Sequence, residues 1–464
     1  MKFLALFFIV FSLCGLSFAQ SDEYIVLNKV FITGNKRTVD RIILRELDLK
    51  EGDTVLRINI DTVLKINRNR IYNTRLFNEV KLTFLPDSSF TNNLLIEVTE
   101  RWYIFPVPIF ELADRSFNEW WYNQNRSLNR INYGIRFTDK NFRGRKEELS
   151  LTVQGGFTQK LELKYHIPYI NKLQTWGTNV DFGFDQNKQT SYATIKNKQV
   201  FIRKENEILR ERYRAGISFD YRKFFFGTHS FSLYYNYASI ADSITILNPD
   251  YFGNGKKYQQ FLQLSYYFTF DKRDIRAYAH KGYYFKFSYD QKGFMPFDDI
   301  KIASFDLTYG KYLSLGRNFY LASLSKGKVY IADNIPYYNR RAFGYDQDYV
   351  RGYDLYVIDA QNFLLQRITL RKKIIETDLN IQSLLPIKQF SSIPLSLYLN
   401  TYYDLGYGYL KNPEATGDFL SNDLLRGGGI GLDLVTYYDS VIRFEYSINK
   451  MLERRIYLAF TKDI

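Results

Sequence analysis

The chain has 464 residues and a formal net charge of +14, and 18% of it is aromatic, with 40 Tyr and 39 Phe. Cys14 is the only cysteine, so a mature chain that has lost its first residues has no disulfide, thiolate metal site or cysteine nucleophile. No run of eighteen apolar residues follows residue 20, which excludes a membrane-spanning helix there. The positive charge is spread thinly, as expected of solvated loops and a wet interior that favour anionic lipid headgroups, and it does not indicate a nucleic-acid surface.

The first twenty residues have the pattern of a secretory signal. Lys2 supplies a positive start, Leu4 to Leu13 is an apolar run, and Ser17 to Ala19 offers small residues for cleavage. We therefore predict a signal peptide over residues 1–19. An uncleaved anchor is the alternative, but the apolar run is shorter than the roughly 20 residues that a spanning helix needs.

Residues 20–101 predict a small soluble α+β unit. A strand from Tyr24 to Thr33 ends at a Gly-Asn turn, and two helices follow, with ends near Leu47 and Asn73. Two further strands, Val80 to Phe84 and Leu94 to Val98, complete a β-α-α-β-β order. About 75 residues are enough to bury a small core. Residues 102–128 are interpreted as a linker, in which Trp120-Trp121 is expected to anchor at the periplasmic membrane interface.

From about residue 130 the pattern changes to period two. Along one segment, for example, Val180, Phe182 and Phe184 alternate with Asp181 and Gly183. Such segments are about ten residues long, carry aromatic residues at their ends and are separated by polar turns, which is typical of transmembrane β-barrels. We therefore predict an all-β transmembrane barrel of about 16 antiparallel strands over residues 129–464. A soluble β-sandwich also alternates, but with its apolar face inward.

Several short motifs resemble the Omp85 superfamily of outer-membrane insertases and translocases. The N-terminal motifs, which resemble one POTRA domain, are Ile32-Thr33-Gly34-Asn35, Glu51-Gly52-Asp53, Leu76-Phe77-Asn78-Glu79-Val80 and Ile96-Glu97-Val98-Thr99-Glu100. The barrel motifs are Asn141-Phe142-Arg143-Gly144, Val350-Arg351-Gly352-Tyr353 and Tyr403-Asp404-Leu405-Gly406. The resemblance implies a periplasmic POTRA domain followed by an outer-membrane barrel, as in the bacterial surface antigen D15 proteins.

The resemblance also implies the functional residues. In the POTRA domain they are Gly34, Asn35, Phe77 and Val80. In the barrel they are an inward-folding loop motif, Val350, Arg351, Gly352 and Tyr353, and a wall motif, Tyr403, Asp404 and Gly406.

Period two supports one of these roles independently of the resemblance. It puts Asp404 on the inner face with Ser396, Asn400 and Gly406, where a carboxylate needs a partner such as the Arg351 guanidinium. The alternative is that Arg351 is an exposed loop residue and Asp404 a solvated one.

Other chemistry is not indicated. The three histidines, His166, His229 and His280, are far apart in sequence, and no zinc-protease, phosphate-loop or hydrolase-elbow motif occurs. We predict no enzymatic activity, no cofactor and no metal.

The resemblance therefore predicts an assembly, insertion or translocation factor in the outer membrane. Its partners are the lipid bilayer, unfolded outer-membrane or secreted client polypeptides, and periplasmic or lipoprotein accessory factors, with no nucleic acid. Clients are expected to pair with a POTRA sheet edge and with a lateral seam between the first strand, about Arg130 to Thr138, and the last, about Arg455 to Lys462. The alternatives are a two-partner-type secretion channel and a passive pore or receptor.

Overall fold

The computed structural model describes residues 24–87, 91–115, 117–171, 173, 175–222, 224–345, 348–380, 392–413, 417–436 and 440–461. The predicted signal peptide over residues 1–19 lies outside them. The chain divides into two compact units, the first from the described parts of Met1–Lys36 and Ile43–Glu100, the second from those of Arg37–Ile42 and Arg101–Ile464. None of the helices in the described part of the chain could span a membrane.

The N-terminal region has the predicted α+β character, with one extra short strand. Its elements are β1 (Tyr24–Thr33), α1 (Asp40–Leu44), β2 (Thr54–Leu56), a 3-10 turn (Arg57–Asn59), α2 (Ile60–Tyr72), β3 (Phe77–Pro86) and β4 (Thr91–Glu100). The sheet order is β2-β1-β4-β3, with β1 and β4 parallel. Leu27, Ile43, Ile71, Leu94 and Ile96 are fully buried and form the core of the first unit. The edges of this sheet are β2 and β3.

The second unit contains a single antiparallel sheet of 16 strands, which confirms the predicted fold class. Its strands are β5 (Ile104–Leu112), β6 (Ile131–Phe142), β7 (Glu147–Gly156), β8 (Thr158–Ile167), β9 (Trp176–Asn187), β12 (Arg210–Tyr221), β13 (Gly227–Ile240), β14 (Tyr258–Asp271), β15 (Gly282–Lys292), β16 (Ile302–Gly316), β17 (Phe319–Ile331), β18 (Asn362–Asn380), β19 (Ser392–Tyr409), β20 (Leu424–Thr436), β21 (Ser440–Asn449) and β22 (Arg454–Thr461). The connections contain a separate hairpin of β10 (Gln189–Ile195) and β11 (Lys198–Arg203), the short helices α3 (Phe117–Tyr122) and α4 (Asp242–Leu247), and 3-10 turns at Leu128–Arg130 and Tyr337–Asn339.

The two faces of this sheet have opposite character. On β21, the side chain of Phe444 is 51% exposed, whereas its neighbour Arg443 is 5% exposed. On β20, Ile430 and Leu432 are exposed while Asp433 is buried. The apolar face is therefore the outer one and the polar face is covered, which is the reverse of a soluble sandwich and suits a sheet surrounded by lipid.

The sheet begins earlier than the sequence predicted. Residues Ile104–Leu112 form its first strand, which pairs with β6, so the predicted linker over 102–128 and the first strand near Arg130 are corrected. The sequence did not predict this strand because it contains Pro106 and Pro108. Proline lacks a backbone N–H and is depleted in strands except at edges.

The earlier start of the sheet also changes the expected location of Trp120 and Trp121. We call the end of the sheet at which β5 begins and β22 ends the proximal end, and the opposite end the distal end. Trp120 and Trp121 lie in α3, within the connection from β5 to β6. Because that connection follows the first strand, it lies at the distal end, not at the chain's entrance to the sheet as predicted.

Candidate functional site

The long connection between β17 and β18, residues 332–361, supplies the centre of the candidate site. We call it the inward loop. Its buried apolar side chains pack with residues of β18, of the start of β20 and of the loop before β20, in a cluster of Ala342, Phe343, Val350, Tyr353, Ile358, Ala360, Phe363, Leu365, Leu420 and Leu425. The sequence predicted a wet interior lined by polar side chains, but here the loop brings its own apolar core, which anchors it against the wall by removing apolar surface from water.

Arg351 of the inward loop binds Asp404 of β19 in two-pronged geometry. Its Nη2 lies 2.6 Å from Oδ1 and its Nε lies 2.8 Å from Oδ2. The backbone N–H of Arg351 donates to the same carboxylate at 3.2 Å. Arg351 is 4% exposed and Asp404 is fully buried. A bidentate guanidinium–carboxylate contact fixes both distance and orientation, so it determines where the loop tip lies on the wall.

Three further residues complete the surroundings of Arg351. Its Nη1 lies 3.2 Å from Oε1 of Glu445, and its Nη2 donates to Oγ1 of Thr369 at 3.0 Å. The ring of Tyr402 lies under the guanidinium, 3.7 Å from ring centroid to carbon. Each of these side chains comes from a different strand, so one loop residue is connected to β18, β19 and β21.

A second buried pair lies beside the first. Arg443 of β21 donates from Nε to Oδ1 of Asp433 on β20 at 2.8 Å, and the same Nε is 3.6 Å from Oε1 of Glu445. Glu445 thus lies between the two arginines. Removing one partner from such a cluster leaves an uncompensated buried charge, which costs far more than the loss of an exposed ion pair.

Glycines let the loop approach the wall closely. A Cβ added to Gly427 of β20 would lie 1.9 Å from the carbonyl oxygen of Arg351, and one added to Gly406 of β19 would lie 2.4 Å from Cγ2 of Val350. Gly352 at the loop tip has a φ of +95°, a conformation that residues with a Cβ rarely adopt.

The predicted site residues fall into two groups. Val350, Arg351 and Tyr353 are buried in the inward loop, and Arg351 meets Asp404. Tyr403, by contrast, is 48% exposed on the outer face and takes no part in the contact.

The POTRA residues belong to the first unit. Gly34 has a φ of +90° at the end of β1, with Asn35 next to it, and a Cβ on Gly34 would lie 1.9 Å from the carbonyl oxygen of Val98. Phe77 and Val80 are buried on β3.

Sequence reasoning missed Glu445, Thr369 and Tyr402 as partners of Arg351, and the pair of Arg443 with Asp433. Period two signals the inner position of Arg443 and Glu445, because they alternate with the apolar Ile442, Phe444 and Tyr446. It gives no register between strands, so it does not show which inner residues lie side by side.

The two end strands of the sheet form the second part of the site, which we call the seam. Within the described residues, no strand pairing joins β5 to β22. At the distal end, Arg115, which follows β5, donates to the carbonyl oxygens of Gly344 and Tyr356 in the inward loop. The hydroxyl of Tyr356 donates to Glu453, just before β22, at 3.0 Å. The connection after the first strand, the inward loop and the last strand are therefore linked at that end.

Comparison with known families agrees with this architecture. The model of the Omp85 superfamily domain matches residues 141–434, and that of the POTRA family, described as a surface antigen variable number repeat, matches residues 25–101. No curated protein matches the chain.

Solved structures share the fold at low sequence identity. BamA from Haemophilus ducreyi, crystallised without POTRA domains 1–3, is 14% identical with a TM-score of 0.54, over 94% of this chain and 84% of that one. CdiB from Acinetobacter baumannii is 12% identical with a TM-score of 0.51, over 94% and 73% of the two chains. CdiB from Escherichia coli is 10% identical with a TM-score of 0.55, over 95% and 75%.

Arg351→Ala and Asp404→Ala should each destabilise the folded protein by about 3 to 5 kcal/mol, because each removes the bidentate partner of the other buried charge. The double substitution should cost less than the sum of the two, with a coupling of at least about 1 kcal/mol. Urea unfolding in detergent, followed by tryptophan fluorescence, measures both. Arg203→Ala, which removes an exposed ion pair with Glu205, is the control and should cost less than about 1 kcal/mol. Additive effects of the two substitutions would contradict the pairing.

Gly427→Ala should push the loop tip off the wall, because the new methyl group meets the backbone oxygen of Arg351. Overpacking of this kind costs about 1 to 3 kcal/mol, and it should increase protease cleavage within the inward loop. Gly183→Ala on β9 is the matched control, because a Cβ there meets nothing within 4 Å. Equal cleavage rates in the two variants would show that Gly427 does not support docking.

The docking of the inward loop against the wall should become less stable as pH rises. Burial, with the charge of Glu445 adding to it, raises the pKa of Asp354 to about 7, although the Gly352 N–H donates to its carboxylate and opposes this. A carboxyl whose pKa is raised in the docked state retains its proton there, so docking is strongest below the free value of about 4 and weakens between about pH 4 and 7. The protease assay across this range should show cleavage of the loop increasing with pH relative to Asp354→Asn, which stays neutral. Identical pH profiles would contradict this.

Proposed function

Because this chain belongs to the Omp85 superfamily, we propose that it acts in the bacterial outer membrane, with its POTRA domain in the periplasm, and helps other β-barrel polypeptides insert there. The observation that carries this proposal is the seam. Strands β5 and β22 are the two ends of the 16-stranded sheet and are not paired with each other in the described residues. At membrane depth neither lipid nor water satisfies their backbone groups, so an extended client strand that pairs with them lowers the free energy.

The POTRA domain suits the capture of clients before insertion. Its strand β3 (Phe77–Pro86) lies at one edge of the four-stranded sheet, with β4 as its single neighbour in that sheet. An exposed edge offers a row of backbone donors and acceptors to an extended peptide, which adds as a further strand. We propose that β3 holds a client in extended form, and that the extended client then pairs with an end strand at the seam. The role involves backbone pairing alone, and we propose no catalytic step.

The docked inward loop favours insertion at the seam over passage through the interior. Arg351 and Asp404 hold the loop tip on the wall, and Phe343, Val350 and Tyr353 of the same loop are buried in its apolar cluster. A polypeptide that crossed through the interior would have to displace these contacts and expose buried charges, which is costly. A client that pairs at the seam leaves them in place.

The proposal is tested with the full chain reconstituted in phosphatidylethanolamine–phosphatidylglycerol liposomes. The probe is a urea-unfolded outer-membrane protein with an eight-stranded barrel, and its folding is followed by the change in gel mobility of unheated samples. Liposomes that contain the chain should fold the probe several times faster than empty liposomes. Equal rates would overturn the proposal. In planar bilayers, a large and steady conductance together with equal folding rates would instead support a passive pore.

A further inference from the structure

The first strand of the sheet, β5, lacks some of the backbone N–H donors on the edge that faces the seam. The hydrogen bonds that flank β5 run from the Ala113 N–H to the Arg130 oxygen, at 2.8 Å, and from the Lys140 N–H to the Tyr103 oxygen, at 3.0 Å. The register between β5 and β6 is continuous from Ile104 to Leu112. In an antiparallel ladder the backbone groups of successive residues point to opposite sides. The odd-numbered residues of β5 therefore face β6, and the even-numbered ones face the seam.

Two of the five seam-facing residues of β5 are prolines. Pro106 and Pro108 occupy the centre of the edge, and proline has no backbone N–H. Donors remain only at Ile104, Phe110 and Leu112. The edge still presents carbonyl oxygens, of which that of Ile104 accepts from Nε1 of Trp102, but a strand laid against it finds no donor over its middle positions.

The last strand, β22, has a backbone N–H donor at every residue that faces the seam. The Asn449 N–H donates to the Glu453 oxygen at 3.2 Å, and the register between β21 and β22 continues without a shift. The odd-numbered residues of β22 therefore face β21, which leaves the even-numbered ones towards the seam. These are Arg454, Ile456, Leu458 and Phe460, and each of them carries an N–H.

We propose that a client strand adds to the edge of β22, and that Pro106 and Pro108 keep β5 from occupying that edge itself. The inference rests on the proposed function and makes it specific. A strand pairs with β22 along its whole length, whereas on β5 it loses the central donors. For the same reason β5 and β22 close poorly against each other, so the β22 edge stays unpaired until a client strand adds to it.

The chemistry of β22 also defines what the client strand must look like. Ile456 is 70% exposed on the outer face, while Tyr457 is buried on the inner face. The strand has eight residues, close to the roughly 9 to 11 of a membrane-spanning β-strand. A neighbour that continues both faces has alternating apolar and polar side chains, which is the pattern of an outer-membrane barrel strand.

The test uses the reconstituted full chain and a biotin-labelled, urea-unfolded outer-membrane protein with an eight-stranded barrel. A photoreactive amino acid is placed at Ile456 of the last strand or at Phe110 of the first, since both lie on seam-facing positions. Adducts with the probe should form mainly from position 456. Adducts that are equal or stronger from position 110 would overturn the inference.

Matched substitutions separate the backbone donor from the side chain. With the photoreactive group at position 456, Leu458→Pro should abolish the adduct, because it removes a seam-facing N–H and leaves the bonds to β21 intact. Leu458→Ala keeps the N–H and should preserve the adduct. Unheated gel mobility verifies that both variants fold. Equal adducts from the two variants would overturn the inference.

The role of the prolines is tested without a client. Pro106→Val together with Pro108→Val restores the missing donors, so the two edges should pair, and the temperature at which the gel mobility changes should rise. With the probe present, the amount of adduct formed from position 456 should decrease. An unchanged transition temperature would overturn the role of the prolines. This result is independent of assisted folding, so failure of the proposed function, seen as equal folding rates with and without the chain, is recognised separately.

Discussion

Backbone groups at membrane depth must find hydrogen-bond partners within protein, and this constraint accounts for most of the second unit. Each inner strand of the 16-stranded sheet satisfies it through two neighbours. Within the described residues, the end strands β5 and β22 have one neighbour each in this sheet, so the constraint is unmet at the seam. The proposed function lies at the seam for the same physical reason that makes the rest of the sheet stable, since an unpaired edge can be completed by an extended chain.

The inward loop meets a second constraint, which is that buried charges need partners. Arg351 pairs with Asp404, Arg443 pairs with Asp433, and Glu445 lies near both arginines, so that strands β19 to β21 contribute to the cluster. The loop is thereby fastened to the wall adjoining the last strand. At the distal end, Arg115 and Tyr356 extend these connections from the segment after β5 to the start of β22. The seam is thus linked at its distal end by side chains, whereas no strand pairing closes it in the described residues.

Much of this architecture is visible in the sequence. The alternation of apolar and polar residues predicted the sheet and its apolar outer face. The motifs around Arg351 and Asp404 indicated residues that the fold brings together. Strand β5 was missed because Pro106 and Pro108 suppress strand propensity, although proline suits an edge whose N–H groups have no neighbour. Glu445 and Thr369 were missed because partners across strands depend on register, which a single sequence does not supply.

We propose that this chain inserts other barrels at its seam. The measurement that tests it most directly is depletion of the protein in its native bacterium, followed by quantitative proteomics of the outer membrane. A broad fall in other β-barrel proteins is the predicted result. An outer membrane whose β-barrel proteins keep their normal abundance would contradict the claim.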